Sequence, residues 1–252
     1  MASSALNLNR KLSLAVLLSF LGLCQMGRAD SVNWTFTQLD VPRAIGTVAT
    51  GINNAGQIVG YYTTPSFHGF LYAAGAFTTI DVPPRAPGFE AVDTFPSGIN
   101  SSGQIVGTFE TGDHIQHGFE LDARGITVLD PPGSVSSVAG GINDSGQIVG
   151  YFYTSGGEHG FLNTNGILTI IDVPGLPTQP RGLNNGGQIV GSTSSYEGFL
   201  YTNGAYTSVH FPGVRNSVPM GINDAGQIVE LAGGVLDAGG EFTPILIPGS
   251  QL

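Results

Sequence analysis

The chain has 252 residues, with 39 Gly, 15 Pro, one Cys, 8 Lys plus Arg and 18 Asp plus Glu. Its first 29 residues read as an export signal: Arg10 and Lys11 precede the apolar run Leu12 to Cys24, and Gly27-Arg28-Ala29 sets small residues at the two positions a signal peptidase reads. Removing Arg10, Lys11, Arg28 and Cys24 with that segment leaves five Arg, no Lys, no Cys and 18 acids, a net charge of −13, which excludes a disulfide scaffold, a thiol enzyme, a cysteine-ligated metal site and a counterion-release grip on nucleic acid.

The apolar run is too short to cross a bilayer, and no later stretch reaches the roughly 18 apolar residues that a span needs. The expectation is a secreted, extracellular protein with no membrane span, and a single domain over residues 30–252.

The mature chain opens on Phe36-Thr37-Gln38-Leu39-Asp40-Val41-Pro42, a strand-like piece that returns later as Phe77-Thr78-Thr79-Ile80-Asp81-Val82-Pro83. Next comes Gly51-Ile52-Asn53-Asn54-Ala55-Gly56-Gln57-Ile58-Val59-Gly60, a string repeated from Gly98, Gly141, Gly182 and Gly221, at steps of 47, 43, 41 and 39 residues. Each copy continues with a second string, seen as His68-Gly69-Phe70-Leu71-Tyr72, and then with the Phe77-to-Pro83 type. Repetition at this period dominates every other signal in the chain.

Each copy reads as four short strands. The G-I-N and Q-I-V-G pieces are apolar and β-branched, and the Asn-x-x-Gly between them suits a tight turn, with Asn capping it and Gly taking the left-handed position. The third and fourth strands are joined by Asn165-Gly166 in copy three, Asn203-Gly204 in copy four and Gly239-Gly240 in copy five, pairs suited to two-residue hairpin turns. Pro83, Pro131, Pro174, Pro212 and Pro248 then end the fourth strand, since proline has no N–H to give to a ladder. The expected fold is all-β: a five-bladed β-propeller built from five four-stranded repeats of about 40–47 residues, plus one extra N-terminal strand at Phe36 to Pro42.

The combination of G-I-N-x-x-G-Q-I-V-G, His-Gly-Phe-Leu and F-T-x-I-D-V-P resembles the HAF repeat of probable extracellular repeat proteins of bacteria. The resemblance covers about Trp34 to Gly249, with Gly69, Gly118 and Gly160 where the repeat's name has Ala. It implies an extracellular location and no settled activity.

Comparison of copies within the chain singles out a pair of positions 13 residues apart: His68 with Asp81, His117 with Asp130, His159 with Asp172 and, exchanged, Glu197 with His210. In copy five the same positions are Gly233 and Leu246. A hairpin with a two-residue turn sets these positions opposite each other, about 5 Å apart at Cβ, so four cross-strand His/carboxylate pairs are expected. Four copies around a ring suit register-fixing bonds better than one catalytic dyad, and the exchanged pair keeps attraction while reversing direction. No catalytic residue and no metal site is therefore assigned. Neighbouring histidines stand too far apart for zinc, and the Asn-Asp-x-Gly turns at Asn143 and Asn223 supply too few oxygens for more than weak Ca²⁺ binding.

Ligand contact is expected where the copies differ. The first such place is the link between copies one and two, with Arg85, Phe89, Glu90 and Asp93; the second is the loop carrying Asp113 and His114. The function these observations favour is a non-enzymatic binding or surface scaffold module for polysaccharide or a cell-surface protein, with multivalent weak binding from equivalent repeats and no cofactor. The alternative is a glycan-active hydrolase using Glu90 and Asp93, the unrepeated acids close together. The oligomeric state is left open by the sequence.

Overall fold

In the computed structural model of the protein the described residues are 36–83, 91–213, 215–231, 234–236 and 242–244. Among them the chain is all-β and has no helix. Four antiparallel meanders form the blades. Blade 1 is β1 (Gly46–Ile52), β2 (Ile58–Thr63), β3 (Phe67–Ala73) and β4 (Ala76–Ile80), and blade 2 is β5 (Ala91–Ile99), β6 (Ile105–Thr111), β7 (Gln116–Asp122) and β8 (Gly125–Val128). Blade 3 is β9 (Ser136–Ile142), β10 (Ile148–Thr154), β11 (Gly157–Thr164) and β12 (Ile167–Ile170), and blade 4 is β13 (Thr178–Leu183), β14 (Ile189–Thr193), β15 (Gly198–Thr202) and β16 (Ala205–Val209).

A fifth, reduced sheet follows: β17 (Pro219–Ile222), β18 (Ile228–Glu230), β19 (Gly234–Leu236) and β20 (Phe242–Pro244). Its strands are only three or four residues long. The expectation of a five-bladed propeller is thus corrected to four full blades in a propeller arrangement with a small fifth sheet.

The expected extra strand at Phe36 to Pro42 is corrected as well, since residues 36–41 join no ladder. The place beside β19 where such a strand would pair is taken by β20. Even so, the Val41 N–H donates to Thr47 Oγ1 at 2.9 Å, as the Val82 N–H donates to Thr94 Oγ1 at 3.2 Å and the Val173 N–H to Thr178 Oγ1 at 2.9 Å. The segment thus meets β1 as β4 and β12 run on to meet the blades after them.

The core lies in the seams between sheets. Val59, Ile80 and Val82 of blade 1 pack with Ile99, Ile105, Phe109 and Phe119 of blade 2. Val106 of blade 2 packs with Phe152 and Phe161 of blade 3, and Val149 of blade 3 with Ile189 and Phe199 of blade 4. The repeated Val of Q-I-V-G is therefore the residue each blade gives to the next, and all four, Val59, Val106, Val149 and Val190, are 0 % exposed. Full burial of such a side chain contributes about 1.5–3 kcal/mol.

The glycines that open each copy have a packing role. Extending Gly51 by a Cβ would meet Gly98 Cα at 3.1 Å, and extending Gly182 would meet Gly221 Cα at 2.8 Å, so the innermost strands touch backbone to backbone. Each innermost strand is also bulged one residue before this glycine, as at Ala49/Gly51 and Pro180/Gly182. The extra residue at the bulge bends the strand and increases its twist.

Candidate functional site

The turns after β1, β5, β9, β13 and β17 gather at one mouth of the propeller. They line a cavity of about 210 Å³ with Asn53, Asn100, Asn143, Asn184 and Asn223 and the residue after each. The repeated Asn builds its own turn: Asn143 Oδ1 accepts the N–H of Ser145 at 3.1 Å and of Gln147 at 3.0 Å, and Nδ2 donates to Gln147 Oε1 at 2.9 Å. The same amide reaches the next blade, donating to the Asn184 carbonyl at 3.2 Å. Asn53, Asn100 and Asn184 do likewise to the carbonyls of Asn100, Asn143 and Asn223. Asn100, Asn143 and Asn184 are at most 4 % exposed, and such burial is tolerated because each polar atom has a partner. The repeated Gln closes the turn from within.

A second ring of side chains lies nearer solvent. Asn54 Nδ2 donates to Ser101 Oγ at 3.3 Å, the Ser101 N–H donates to Asp144 Oδ1 at 2.8 Å, and the Asp144 N–H donates to Asn185 Oδ1 at 2.9 Å. Asn185 Nδ2 stands between two carboxylates, 3.1 Å from Asp144 Oδ2 and 2.9 Å from Asp224 Oδ2. The backbone N–H of Ser101 is the main cause holding the Asp144 carboxyl below its usual range, with Asn185 adding to it. The carboxylates that could have begun a calcium loop are thus engaged in turn-to-turn bonds.

The ladder register sets the predicted His/carboxylate positions opposite in all four blades, as Gly69 pairs with Ile80, Phe119 with Val128, Phe161 with Ile170 and Gly198 with Val209. Three of the pairs come together. His68 Nδ1 lies 3.1 Å from Asp81 Oδ2, His117 Nδ1 2.8 Å from Asp130 Oδ2 and His159 Nδ1 2.8 Å from Asp172 Oδ2. Each imidazole also packs on an aromatic ring of the neighbouring strand: Tyr62, Phe109 and Phe152, at 5.3, 5.2 and 5.5 Å between centroids. The far oxygens of two of these carboxylates bind backbone or the next blade, Asp172 Oδ1 accepting the Gly160 N–H and Asp130 Oδ1 accepting from Ser137 Oγ.

Glu197 and His210 are not brought together. In blade 4 the turn before β15 is tight, and the Thr193 N–H closes it on the Glu197 carbonyl at 2.9 Å. Glu197 therefore precedes the strand, whereas β3, β7 and β11 already include their His, and His210 turns instead to Ser208 Oγ at 2.9 Å.

Of the residues expected to meet a ligand, Arg85, Phe89 and Glu90 lie outside the described residues. Asp93 Oδ1 accepts the Phe67 N–H at 2.7 Å, a bond between blades 1 and 2. In the loop of blade 2, Asp113 Oδ1 accepts from Thr111 Oγ1 at 2.5 Å and is held low by that hydroxyl. His114 has φ 64° and its Nδ1 lies 2.7 Å from Glu110 Oε1, which raises the imidazole pKa. Among the described residues no three His, Cys, Asp or Glu side chains gather as a metal site would need, and no helix is long and apolar enough to cross a membrane.

Sequence reasoning missed the seams. Between blades 1 and 2, Tyr61, Phe67 and Phe95 form an aromatic cluster with centroids 5.2–6.0 Å apart. The matching residues between blades 3 and 4 are Tyr151, Glu158 and Gln179, joined by Tyr153 and by Arg181 at the bulge of β13. Tyr153 faces Glu158 across the ladder, and its ring lies 6.0 Å from that of Tyr151. Arg181 Nη2 donates to Gln179 Oε1 at 2.6 Å. Glu158 Oε1 and Arg181 Nε are both buried with no protein partner, a state that costs about 1–3 kcal/mol for each such atom. Burial raises the pKa of both phenols; the Arg181 charge opposes the rise at Tyr151, and the Glu158 charge adds to it at Tyr153. The signal was present in the copies, because these positions change character from seam to seam while their flanks repeat.

No family model and no curated protein matches the chain. Solved structures do. A triple arginine-to-alanine mutant of AofleA from Arthrobotrys oligospora aligns with TM-score 0.46 and 12 % identity over 80 % of this chain and 72 % of that one. The fucose-specific lectin from Aleuria aurantia aligns with TM-score 0.43 and 11 % identity over 78 % and 72 %. A point mutant of the Aleuria aurantia lectin in complex with alpha-methyl-L-fucoside gives TM-score 0.39 and 11 % identity over the same shares. Fucose specificity is a property of the Aleuria aurantia lectin.

Proposed function

We propose that this chain is a secreted member of the HAF-repeat family, a propeller of four full blades with a small fifth sheet, acting as a non-enzymatic module that binds polysaccharide or a cell-surface protein. The observation that carries this reading is the axial mouth. Five turns present amide, hydroxyl and carboxylate groups around one cavity and are locked to one another by the bonds described above. A concave polar surface held by its own hydrogen bonds loses little freedom when it meets a ligand, and this favours binding. The His/carboxylate pairs act as structural bonds that fix hairpin register.

The test is a glycan array probed with the purified protein, with and without Ca²⁺, followed by chromatography of the same glycans for released sugar. Retained glycans without cleavage are expected, with little change on removing Ca²⁺. Released sugar would overturn the reading in favour of a hydrolase. Silence toward glycans together with capture of a cell-surface protein would move the ligand class to protein.

A further inference from the structure

Three of the seams between full blades can be compared position by position, because the copies share one register. Between blades 1 and 2 the positions carry Tyr61, Thr63, Phe67, Phe95 and Ser97, and rings fill the space. Between blades 2 and 3 they carry Thr108, Glu110, Gln116, Val138 and Gly140, and Glu110 is engaged by His114. Between blades 3 and 4 they carry Tyr151, Tyr153, Glu158, Gln179 and Arg181. Of the three, this seam alone combines a carboxylate, a guanidinium and two phenols, and among the described residues only here do two charged side chains each keep a buried polar atom without a protein partner.

We propose that the seam between blades 3 and 4 is a single, asymmetric binding site for a neutral saccharide, recognised by Tyr151, Tyr153, Glu158, Gln179 and Arg181. This rests on the reading of the protein as a carbohydrate-binding module and goes beyond it in naming one site outside the axial mouth.

The chemistry selects the ligand class. Glu158 and Arg181 offset each other in charge, so the seam favours neither an anion nor a cation. Glu158 Oε1 requires a donor and Arg181 Nε–H requires an acceptor, and neighbouring sugar hydroxyls supply both. The Tyr151 and Tyr153 rings, nearly perpendicular at 83°, offer an apolar face for the C–H side of a pyranose as well as phenol groups for its hydroxyls. Gln179 holds the guanidinium through its 2.6 Å bond and so fixes where Nε points. Tyr153 is the exposed member of the set, at 37 %, so a ligand would reach the buried atoms past its ring.

The experiment uses the full chain and a glycan array of neutral oligosaccharides, followed by calorimetric titration with the strongest binder from the array. The variants are Glu158→Gln, Arg181→Gln and the double variant Glu158→Phe with Gln179→Phe, which introduces the residues of the first seam. Melting curves of all three are recorded. The expected result is one site per chain, at least tenfold weaker binding in each single variant and no binding in the double variant, with melting at or above that of the parent. Binding of undiminished strength in all three variants would overturn the seam site and leave the carbohydrate-binding reading standing. An array on which the parent protein retains no neutral glycan would overturn the seam site, and retention of no glycan of any charge would overturn the carbohydrate-binding reading with it.

Discussion

The seam between blades 1 and 2 and the seam between blades 3 and 4 are built on the same backbone and filled with opposite chemistry. Both have the inner glycine contact, the bulge and the Asn turn. One closes over Tyr61, Phe67 and Phe95, whereas the other holds Glu158 and Arg181 with a buried atom each left unpaired. Repeat architecture therefore separates two tasks. The repeated residues hold neighbouring sheets together, and the variable ones decide whether a seam contributes stability or presents groups to a ligand. Buried unpaired polar atoms lower stability, so the third seam retains a cost that the first avoids.

Substitutions common to both seams have the largest effect. Gly141→Ala brings a Cβ to 2.8 Å from the Arg181 carbonyl oxygen, and Gly51→Ala brings one to 3.1 Å from Gly98 Cα. Each is expected to lower unfolding free energy in urea by about 2–3 kcal/mol, because the obstacle is backbone and cannot turn aside. Equal losses would show that the two seams share one frame.

The next pair separates them. Phe95→Ala removes a ring packed on Tyr61 and Phe67 at 5.2 and 5.3 Å, and a loss of about 2–3 kcal/mol is expected for this half-buried side chain. Gln179→Ala at the matching position is expected to cost about 0.5 kcal/mol or less. Similar losses at both would contradict the division of labour.

Smaller effects sharpen the contrast between blades. Ala74 adopts φ 50° in the hairpin turn of blade 1, where blades 3 and 4 have Asn165 at 53° and Asn203 at 51°. Asn tolerates this left-handed conformation better than Ala, so Ala74→Asn is expected to raise stability by about 0.5–1 kcal/mol, read as a higher melting temperature. The smallest effect is acid sensitivity at the axial mouth. The Ser101 N–H holds the Asp144 carboxyl below its ordinary carboxylate value in the folded chain, so its contribution is complete above that ordinary value and is lost as pH falls through the lower folded one. Asp144→Asn should flatten the acid limb of a stability profile below about pH 4 and leave neutral pH nearly unchanged.

Much of this architecture was legible in the sequence. The Asn-Gly turns, the strand order and the opposition of His68 to Asp81 follow from local rules, because hairpin register is set by the few residues of its turn. The failures share one physical cause. Glu197 and His210 had the right spacing, but a shortened turn before β15 moved Glu197 out of the ladder, a change in the neighbouring hairpin rather than in the pair. The reduced fifth sheet depends on how far each strand extends, which periodicity alone does not specify. The third seam depends on which residues of two separate copies meet. Glu158 and Arg181 are 23 positions apart and look like ordinary surface charges until the blades are laid side by side.

The Asn bonds at the axial mouth have a direction. Each blade donates to the next, from Asn53 through Asn100, Asn143 and Asn184 to the Asn223 carbonyl, and among the described residues Asn223 Nδ2 goes to its own Gln227 rather than onward to blade 1. A series of this kind behaves as a row of latches with two unequal ends. Blades 2, 3 and 4 are fastened from both sides, and blade 1 and the last sheet from one; only the last sheet also has short strands, so opening should begin there and travel backward. Amide exchange would record this as a gradient along the chain, fastest over β17 and β18 and slowest over β6 and β10, giving the protein a built-in order of coming apart.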